Sequence, residues 1–299
     1  MSEASRDRLA TIVRDPACDL AEAALLCCVE AQPDLDVEAA LARIDALADD
    51  LAAGLLPHSR YEPLGWGATI EAATADAQAL SGYLTADVGF TGDPAAAHDA
   101  RNALLTSVLE RRRGTRTALG TVYIAVGRRV GLRVFPVDTP GPLLVGVGGG
   151  APQGRATRPA VVDPFEDGVI LDDEMIAERV EAATDGHVEF ARAMLRPAPA
   201  TSVIRRLLNE LTHAYLHHGD ARGALWTVEL RRRLPGSGPD DVLVTGQLLA
   251  QLGRYRQSAE SLEGYLTEVA GDVDTAAEAG GPELATMAAV ARAARAKMN

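Results

Sequence analysis

Lysine is almost absent from this chain: Lys297 is the single lysine, and arginine supplies the other basic side chains. Basic residues are also outnumbered, with 29 lysines and arginines against 42 aspartates and glutamates and a formal net charge of -13. A nucleic-acid binder gains affinity by neutralising phosphates, and an anionic membrane surface attracts basic segments. The charge balance therefore argues against nucleic acid and against a membrane surface as partners.

Long apolar runs and cysteines are scarce as well. No stretch of 18 apolar residues is present to form a membrane span, and the first residues lack a signal-peptide pattern, so we expect a cytoplasmic protein. Of the three cysteines, Cys27 and Cys28 lie in an apolar run that favours burial. No second group of cysteines or histidines has the spacing of metal ligands. The sequence therefore predicts neither a metal site nor a cofactor.

The chain does have a regular pattern of apolar residues, which has the period of helices first and that of strands in a short later stretch. At 47% hydrophobic, the chain can bury a core. Apolar residues recur with the helical period through most of the chain as far as Val130, and the period then changes to that of strands. The predicted helices are 20–32, a segment starting at Asp36, 68–86, 99–113 and 117–130; the predicted strands are 132–137, 143–147 and 159–162, with a loop at 148–154.

The last third of the chain is helical and repeats itself. Pro197 and Pro199 mark a linker that separates a domain at 1–195 from one at 201–299. Beyond it, the spacing from Gly219 to Gly253 equals the period of tetratricopeptide repeats. Two repeats leave an apolar face open, and we expect a helix at about 282–297 to cover it.

Five runs of residues carry a resemblance to a known family. They are DARNALL at 99–105, VLERRRG at 108–114, RRVGL at 128–132, PG at 140–141 and DPF at 163–165. In this order and spacing they resemble the bacterial SirB-type family, in which a transglutaminase-like domain precedes tetratricopeptide repeats. The resemblance implies an α+β, papain-like domain, mainly helical with a small antiparallel sheet, and then an all-α repeat tail.

The resemblance also locates a catalytic site. In true transglutaminases a cysteine attacks an acyl carbon, a histidine moves the proton and an aspartate orients the histidine. The family's Gly-Ile-Pro-x-Ser-Leu run corresponds to residues 114–119, which places Ala118 at the nucleophile position. Its Pro-Gly-His-Phe run corresponds to 140–143, which places Pro142 at the histidine position. Of the three positions, only Asp163 keeps its side-chain type.

Neither alanine nor proline can perform the chemistry of these positions, and no histidine lies between His98 and His187 to replace the base. We therefore expect a non-catalytic domain in a cytoplasmic interaction or regulatory protein. A second hypothesis is an enzyme that uses the same cleft for non-thiol chemistry, and a third is a structural subunit of a larger complex. The candidate side chains for the enzyme hypothesis are Arg101, Asn102, Tyr123 and Asp163.

The repeat tail is the predicted binding region for a protein or peptide partner. In tetratricopeptide repeats the first helix of each pair lines the concave face, and the repeat period predicts which side chains point into it. The predicted groove residues are Arg206, Asn209, His213, His217, Gln247 and Gln251. Such a polar stripe suits a peptide backbone or a carboxylate. His213 and His217 have a zinc-compatible spacing but lack a third ligand. The sequence carries no signal for an oligomeric state.

The retained aspartate has a local structural explanation. Pro164 keeps Asp163 extended, so its carboxylate can accept a hydrogen bond from the main-chain N–H two residues on. We expect Phe165 to enter the core. On this hypothesis asparagine replaces Asp163 well, whereas alanine costs about 1 kcal/mol for the lost hydrogen bond.

Overall fold

The computed structural model of the protein describes residues 3–55, 69–149, 158–279 and 281–298. Most of the predicted loop at 148–154 lies outside these ranges. The chain forms two compact units, residues 1–207 and residues 208–299. None of the helices within the described ranges is both long and apolar enough to cross a membrane.

The described part of the first unit is mainly helical, with a small sheet. Its helices are α1 (Glu3–Ile12), α2 (Leu20–Ala31), α3 (Val37–Leu55), α4 (Ile70–Gly82), α5 (Leu105–Arg111), α6 (Arg116–Arg129), α7 (Asp173–Thr184) and the start of α8 (Ala200–His217). Its strands are β1 (Thr91–Gly92), β2 (Arg113–Gly114), β3 (Val134–Asp138), β4 (Leu143–Val147), β5 (Ala160–Asp163) and β6 (Val169–Leu171). This composition confirms the predicted α+β class.

Local side-chain signals explain where several helices begin. Asp19 accepts a hydrogen bond from the Ala21 N–H at 2.9 Å before α2, and Asp36 accepts one from the Ala39 N–H at 3.0 Å before α3. Such caps satisfy N–H groups that have no partner inside the helix. The helix predicted to open at Asp99 is shorter than expected. Asp99 caps only a 3₁₀ turn, and the α-helix begins at Leu105.

Four strands form an antiparallel sheet in the order β3-β4-β5-β6. Val134 pairs with Val147 across β3 and β4, and Val161 pairs with Leu171 across β5 and β6. The strand β6 was not predicted, because so short a strand cannot show an alternating pattern. Strands β1 and β2 form a separate parallel pair, in which Thr91 lies opposite Arg113.

Helix α6 is the centre of the first unit, and its residues from Thr117 to Gly127 are all buried. It packs against the sheet on one side and against α2, α3 and α4 around the rest of its surface. Glycines allow the close approach to the sheet: a Cβ atom at Gly127 would lie 2.5 Å from Val134 Cγ2. The other face of the sheet is covered by α7 through Ile176 and Val180.

The described part of the second unit is helical throughout. After the end of α8, its helices are α9 (Ala221–Arg233), α10 (Pro239–Gln251), α11 (Tyr255–Ala270), α12 (Val273–Ala279) and α13 (Gly281–Ala296). Helix α13 contributes Met287, Ala288 and Ala291 to an apolar cluster with Leu262 and Leu266 of α11. This places a helix over the apolar face of α11, as the sequence predicted.

Two turns of this unit have the same geometry, and their glycines, Gly219 and Gly253, are 34 residues apart in the sequence. The Asp220 N–H donates to the Tyr215 carbonyl at 2.8 Å, and the Arg254 N–H donates to the Leu249 carbonyl at 2.8 Å. The preceding glycines, Gly219 and Gly253, have φ values of +71° and +74°. Left-handed backbone of this kind favours glycine. The two turns are therefore built by the same local chemistry.

The close packing of α6 on β3 yields a first prediction. Replacing Gly127 with alanine puts a methyl group against Val134, so we expect destabilisation by about 1–3 kcal/mol from overpacking. Gly82, at the end of α4, is the control: a Cβ atom there meets nothing within 4 Å. Gly82→Ala should be neutral or stabilising by up to about 1 kcal/mol. Urea denaturation of both variants measures the difference, and equal stabilities would contradict this account of α6.

Candidate functional site

The elements that carry the three predicted site positions are neighbours in the first unit. Ala118 lies in the first turn of α6 and is 1% exposed. Pro142 immediately precedes β4, and Asp163 ends β5. A Cβ atom at Gly120 of α6 would lie 3.2 Å from Leu143 Cδ2, one residue after Pro142. The helix that carries Ala118 therefore packs against the strand that begins directly after Pro142.

Asp163 is fully buried and faces two arginines. Its Oδ2 atom lies 3.3 Å from Arg116 Nε and 3.5 Å from Arg179 Nε. Both arginines also bind Glu166: Arg116 Nη2 lies 3.0 Å from its Oε1, and Arg179 Nη2 donates to its Oε2. Two cations thus bridge a buried and a half-exposed carboxylate. Pairing of this kind offsets the desolvation cost of the buried charge.

The turn after Asp163 shows the local bond that the sequence predicted. The Phe165 N–H donates to Asp163 Oδ1 at 3.0 Å, and the Gly168 N–H donates to the Asp163 carbonyl at 3.0 Å. Gly168 has a φ of +69°, and a Cβ atom there would lie 2.7 Å from the Tyr123 hydroxyl oxygen. The turn therefore rests directly on Tyr123 of α6, and only glycine fits.

Phe165 does not enter the core as expected. Its ring is half-buried, and the guanidinium carbon of Arg116 lies 4.5 Å from the ring centroid. The main chain of the same residue approaches β1 so closely that a Cβ atom at Gly92 would lie 2.5 Å from the Phe165 carbonyl oxygen. Stacking with Arg116 holds the ring at the surface, because an arginine over an aromatic face gains a cation–π attraction.

The loop that contains Pro142 is fixed by two helices. Gly141 has a φ of +105°, and a Cβ atom there would lie 2.6 Å from Ala183 Cβ on α7. The Gly141 carbonyl accepts a hydrogen bond from Arg206 Nη1 on α8. Arg206, predicted as a groove residue, therefore has a partner within the first unit.

The candidates for a non-thiol enzyme do not form one group. Arg101 is exposed and donates to Asp99, with Nη2 and Oδ2 2.7 Å apart. Asn102 is buried, donates to the Ala96 carbonyl at 2.9 Å and accepts from Arg111 Nη1 at 2.9 Å. Tyr123 lies beneath the turn that follows Asp163, and burial raises the pKa of its phenol. Arg101 and Asn102 thus belong to a separate polar network.

Most of the predicted groove residues lie on exposed positions of α8 and α10. His213, His217, Gln247 and Gln251 are exposed. Asn209 is exposed too, but its Oδ1 accepts a hydrogen bond at 2.7 Å from Arg231 Nη1. Arg231 is itself buried against Asp241, with Nε and Oδ1 2.7 Å apart. Asn209 therefore takes part in the internal bonding of the second unit.

The three cysteines are buried away from this site. Cys18 precedes α2, and Cys27 and Cys28 lie within it. Burial, with smaller contributions from Asp19 and other charges, raises the pKa of the Cys18 thiol to about 11. Burial also raises the pKa of Cys27 and of Cys28. Within the described ranges, no group of three or more histidine, cysteine, aspartate or glutamate side chains is arranged to hold a metal ion.

Sequence reasoning missed Arg116 and Arg179, which are the ion-pair partners of Asp163, and Glu166, the second carboxylate that these arginines bind. One signal was available for Arg116, because it stands where the family's Gly-Ile-Pro-x-Ser-Leu run has proline. A cation at the first position of a buried helix needs a partner, and Asp163 is that partner. Arg179 lies on an amphipathic helix and has no comparable signal.

A central buried helix packed on a small antiparallel sheet, with an aspartate at a strand end, defines a transglutaminase-like domain. A family model described as the Transglutaminase-like superfamily matches residues 38–209. That match spans more than half of the chain, and the protein belongs to this superfamily.

Relatives named UPF0162 protein are similar to this chain. The one from Xylella fastidiosa strain 9a5c is 31% identical over 191 residues, which cover 63% of this chain and 66% of the relative. The one from Xylella fastidiosa strain Temecula1 is 29% identical over 263 residues, 87% of each chain. The one from Vibrio cholerae is 29% identical over 82 residues, 27% of this chain and 28% of the relative. No solved structure matches the chain.

The arginine pair changes what is expected of substitutions at Asp163. Asparagine keeps the acceptor for the Phe165 N–H but removes the charge that faces Arg116 and Arg179. We expect Asp163→Asn to lose roughly 1–3 kcal/mol of stability, as for hydrogen bonds to charged groups, and Asp163→Ala to lose more. Thermal and urea denaturation test this order. If asparagine is as stable as aspartate, the local turn alone explains Asp163 and the arginines contribute nothing.

Proposed function

We propose that the protein works by binding a partner and not by thiol-dependent acyl transfer. The observation that carries this proposal is the engagement of Asp163. An aspartate that serves a catalytic triad accepts a hydrogen bond from the histidine and stabilises its charged form. Here the carboxylate is buried, caps its own turn and faces two arginines. Each carboxylate oxygen thus has a partner within the structure: Oδ1 accepts from the Phe165 N–H, and Oδ2 faces the arginines.

The nucleophile side of the site supports the same proposal. Ala118 carries no reactive group and is buried in α6, while the loop of Pro142 is held between α7 and α8. The thiols lie elsewhere, and a thiol must ionise to act as a nucleophile. Since burial raises the pKa of Cys18, Cys27 and Cys28, none of them is an activated nucleophile.

We further propose that the second unit is a pair of tetratricopeptide repeats and that the first unit belongs to the SirB type. In support, α9 and α11 begin one repeat period apart, at Ala221 and Tyr255, and the turns before them share one hydrogen-bond pattern. Ala224 and Ser258 are separated by the same period, and both are fully buried small residues in the second helix of each pair. A shared spacing of turn and packing residues is typical of repeat proteins.

The proposed partner surface is the exposed side of the first helix in each pair. In the register set by Gly219 and Gly253, His213 of α8 corresponds to Gln247 of α10, and His217 corresponds to Gln251. All four side chains are exposed and polar, and the two glutamines carry no formal charge. Side-chain amides and imidazoles can pair with the N–H and C=O groups of an extended peptide. A protein segment presented as a peptide is therefore the partner that fits this stripe.

Alkylation tests the non-catalytic part of the proposal. Because burial raises the pKa of all three thiols, we expect iodoacetamide at about pH 7.5 to label the folded protein hardly at all and to leave partner binding unchanged. The same reagent in urea should label three cysteines per chain, which is the control for reagent quality. Mass spectrometry counts the labels. An acyl-transfer activity that disappears on labelling of the folded protein would refute the proposal.

The binding stripe is tested by substitutions that avoid residues with internal bonds. We choose His213→Ala, Gln247→Ala and Gln251→Ala together, and leave out Arg206 and Asn209 because they bind Gly141 and Arg231. The matched control removes an exposed ion pair of α11, Arg256→Ala with Glu260→Ala.

Affinity capture from extracts of the native cells, with circular dichroism of each variant, is the measurement. A partner recovered with the wild type and the control should be lost with the triple variant, which should stay folded. Recovery of the same partner with the triple variant at wild-type yield would place binding on another surface.

A further inference from the structure

A cavity of about 330 Å³ lies in the first unit, away from Asp163. Its walls come from residues 13–16, Cys18 and Leu20 around the turn between α1 and α2, from Pro136 of β3, from Arg128 in the last turn of α6 and from residues 197–200. Small-molecule sites occupy roughly 300–1,000 Å³, so the space suits a small ligand. None of the residues of the candidate functional site lines it.

Much of the wall of this cavity is apolar, and hydrogen bonds within the protein join its parts. Proline contributes four of the lining residues, Pro16, Pro136, Pro197 and Pro199. Each proline fixes its own φ and lacks an N–H donor. Two bonds join the walls: the Ala198 N–H donates to the Pro136 carbonyl at 2.8 Å, and Thr201 Oγ1 donates to the Val13 carbonyl at 3.0 Å. A preformed wall lowers the entropy cost of binding.

Two cations line the same cavity. Arg128 donates through Nε to the Val134 carbonyl at 2.8 Å and through Nη1 to the Cys18 carbonyl at 3.2 Å. Arg14 donates to the Ala10 carbonyl. These acceptors are neutral, and within the part of the chain that the structure describes neither arginine forms an ion pair. Burial lowers the pKa of Arg128 more than the nearby charge of Asp19 raises it, as expected for a cation with incomplete compensation.

The neighbouring carboxylates are engaged in other bonds. Asp15 also lines the cavity, but its Oδ1 accepts the Ala17 N–H at 2.8 Å. Asp19 caps α2 and binds Arg129 Nη2 through Oδ2 at 2.8 Å. A carboxylate brought by a ligand would therefore meet two guanidinium groups whose hydrogen-bond acceptors are neutral carbonyls. Charge-assisted bonds to such groups are the stronger class of hydrogen bond.

We infer that this cavity binds a small organic acid, with its carboxylate at Arg14 and Arg128 and its apolar body against the prolines. Inorganic phosphate fits less well because it has no apolar surface to bury against these walls. A neutral apolar molecule fits less well because it leaves Arg128 partly desolvated without an anion. A short aliphatic or aromatic monocarboxylate has both an apolar part to pack against the prolines and a negative charge to pair with the arginines.

Four probes separate these chemistries. Hexanoate and benzoate have both a negative charge and an apolar body. 1-Hexanol has the apolar body alone, and inorganic phosphate has the negative charge alone. Calorimetric titration of the whole protein should show binding of both acids, with 1-hexanol and phosphate at least about tenfold weaker. Equal affinity for 1-hexanol or for phosphate, or no binding of either acid at millimolar concentration, would overturn the inference.

Substitutions then test the site itself. Arg14→Gln should weaken hexanoate binding about tenfold, and Ala200→Phe should abolish it by filling the cavity. Arg222→Gln, an exposed arginine of α9, is the matched control and should bind as the wild type does. Arg128 is left intact because it holds the Val134 and Cys18 carbonyls. Binding that survives both Arg14→Gln and Ala200→Phe would place the acid elsewhere.

Discussion

The first unit depends on one buried charge, the carboxylate of Asp163. A carboxylate without solvent costs several kcal/mol unless it is paired and hydrogen-bonded, and its neighbours are arranged to prevent that cost. Arg116 at the start of α6 and Arg179 on α7 form ion pairs with it, and the Phe165 N–H in the following turn donates a hydrogen bond to it. Three separate elements are thus held at one point. The shape of the turn follows, including the glycine that lets it rest on Tyr123.

The same point shows what a sequence can predict about a site and what it cannot. The bond from the Phe165 N–H to Asp163 was predictable, because an aspartate followed by proline restricts the next two residues locally. The ion pair with Arg116 crosses 47 residues and has no periodic or local signal. The only sequence signal at position 116 is that arginine stands where the resembling run has proline. The partners of a buried charge that are distant in the sequence are set by the three-dimensional fold and are not visible in a local pattern.

The fold follows the same division. Helices α2, α3 and α6 were predictable because their apolar periods are long and their first residues carry side-chain caps. Strand β6 was missed since so short a strand carries no pattern, and the turn at Asp99 was mistaken for a helix start because a cap looks alike in both. In the second unit the shared spacing of Gly219 and Gly253 pairs His213 with Gln247, and both of these side chains are exposed. This spacing does not give the bonds of Asn209, whose partner lies 22 residues away.

The double use of Arg116 and Arg179 has a consequence for how substitutions at these positions combine. Both arginines bind Asp163 and Glu166 together, so the four side chains form a closed set. Removing either arginine leaves a buried charge poorly compensated and lowers stability. Substitutions at these four positions are therefore not independent: once one member of the set is lost, the remaining charges have fewer partners, and a second change has a different effect on stability.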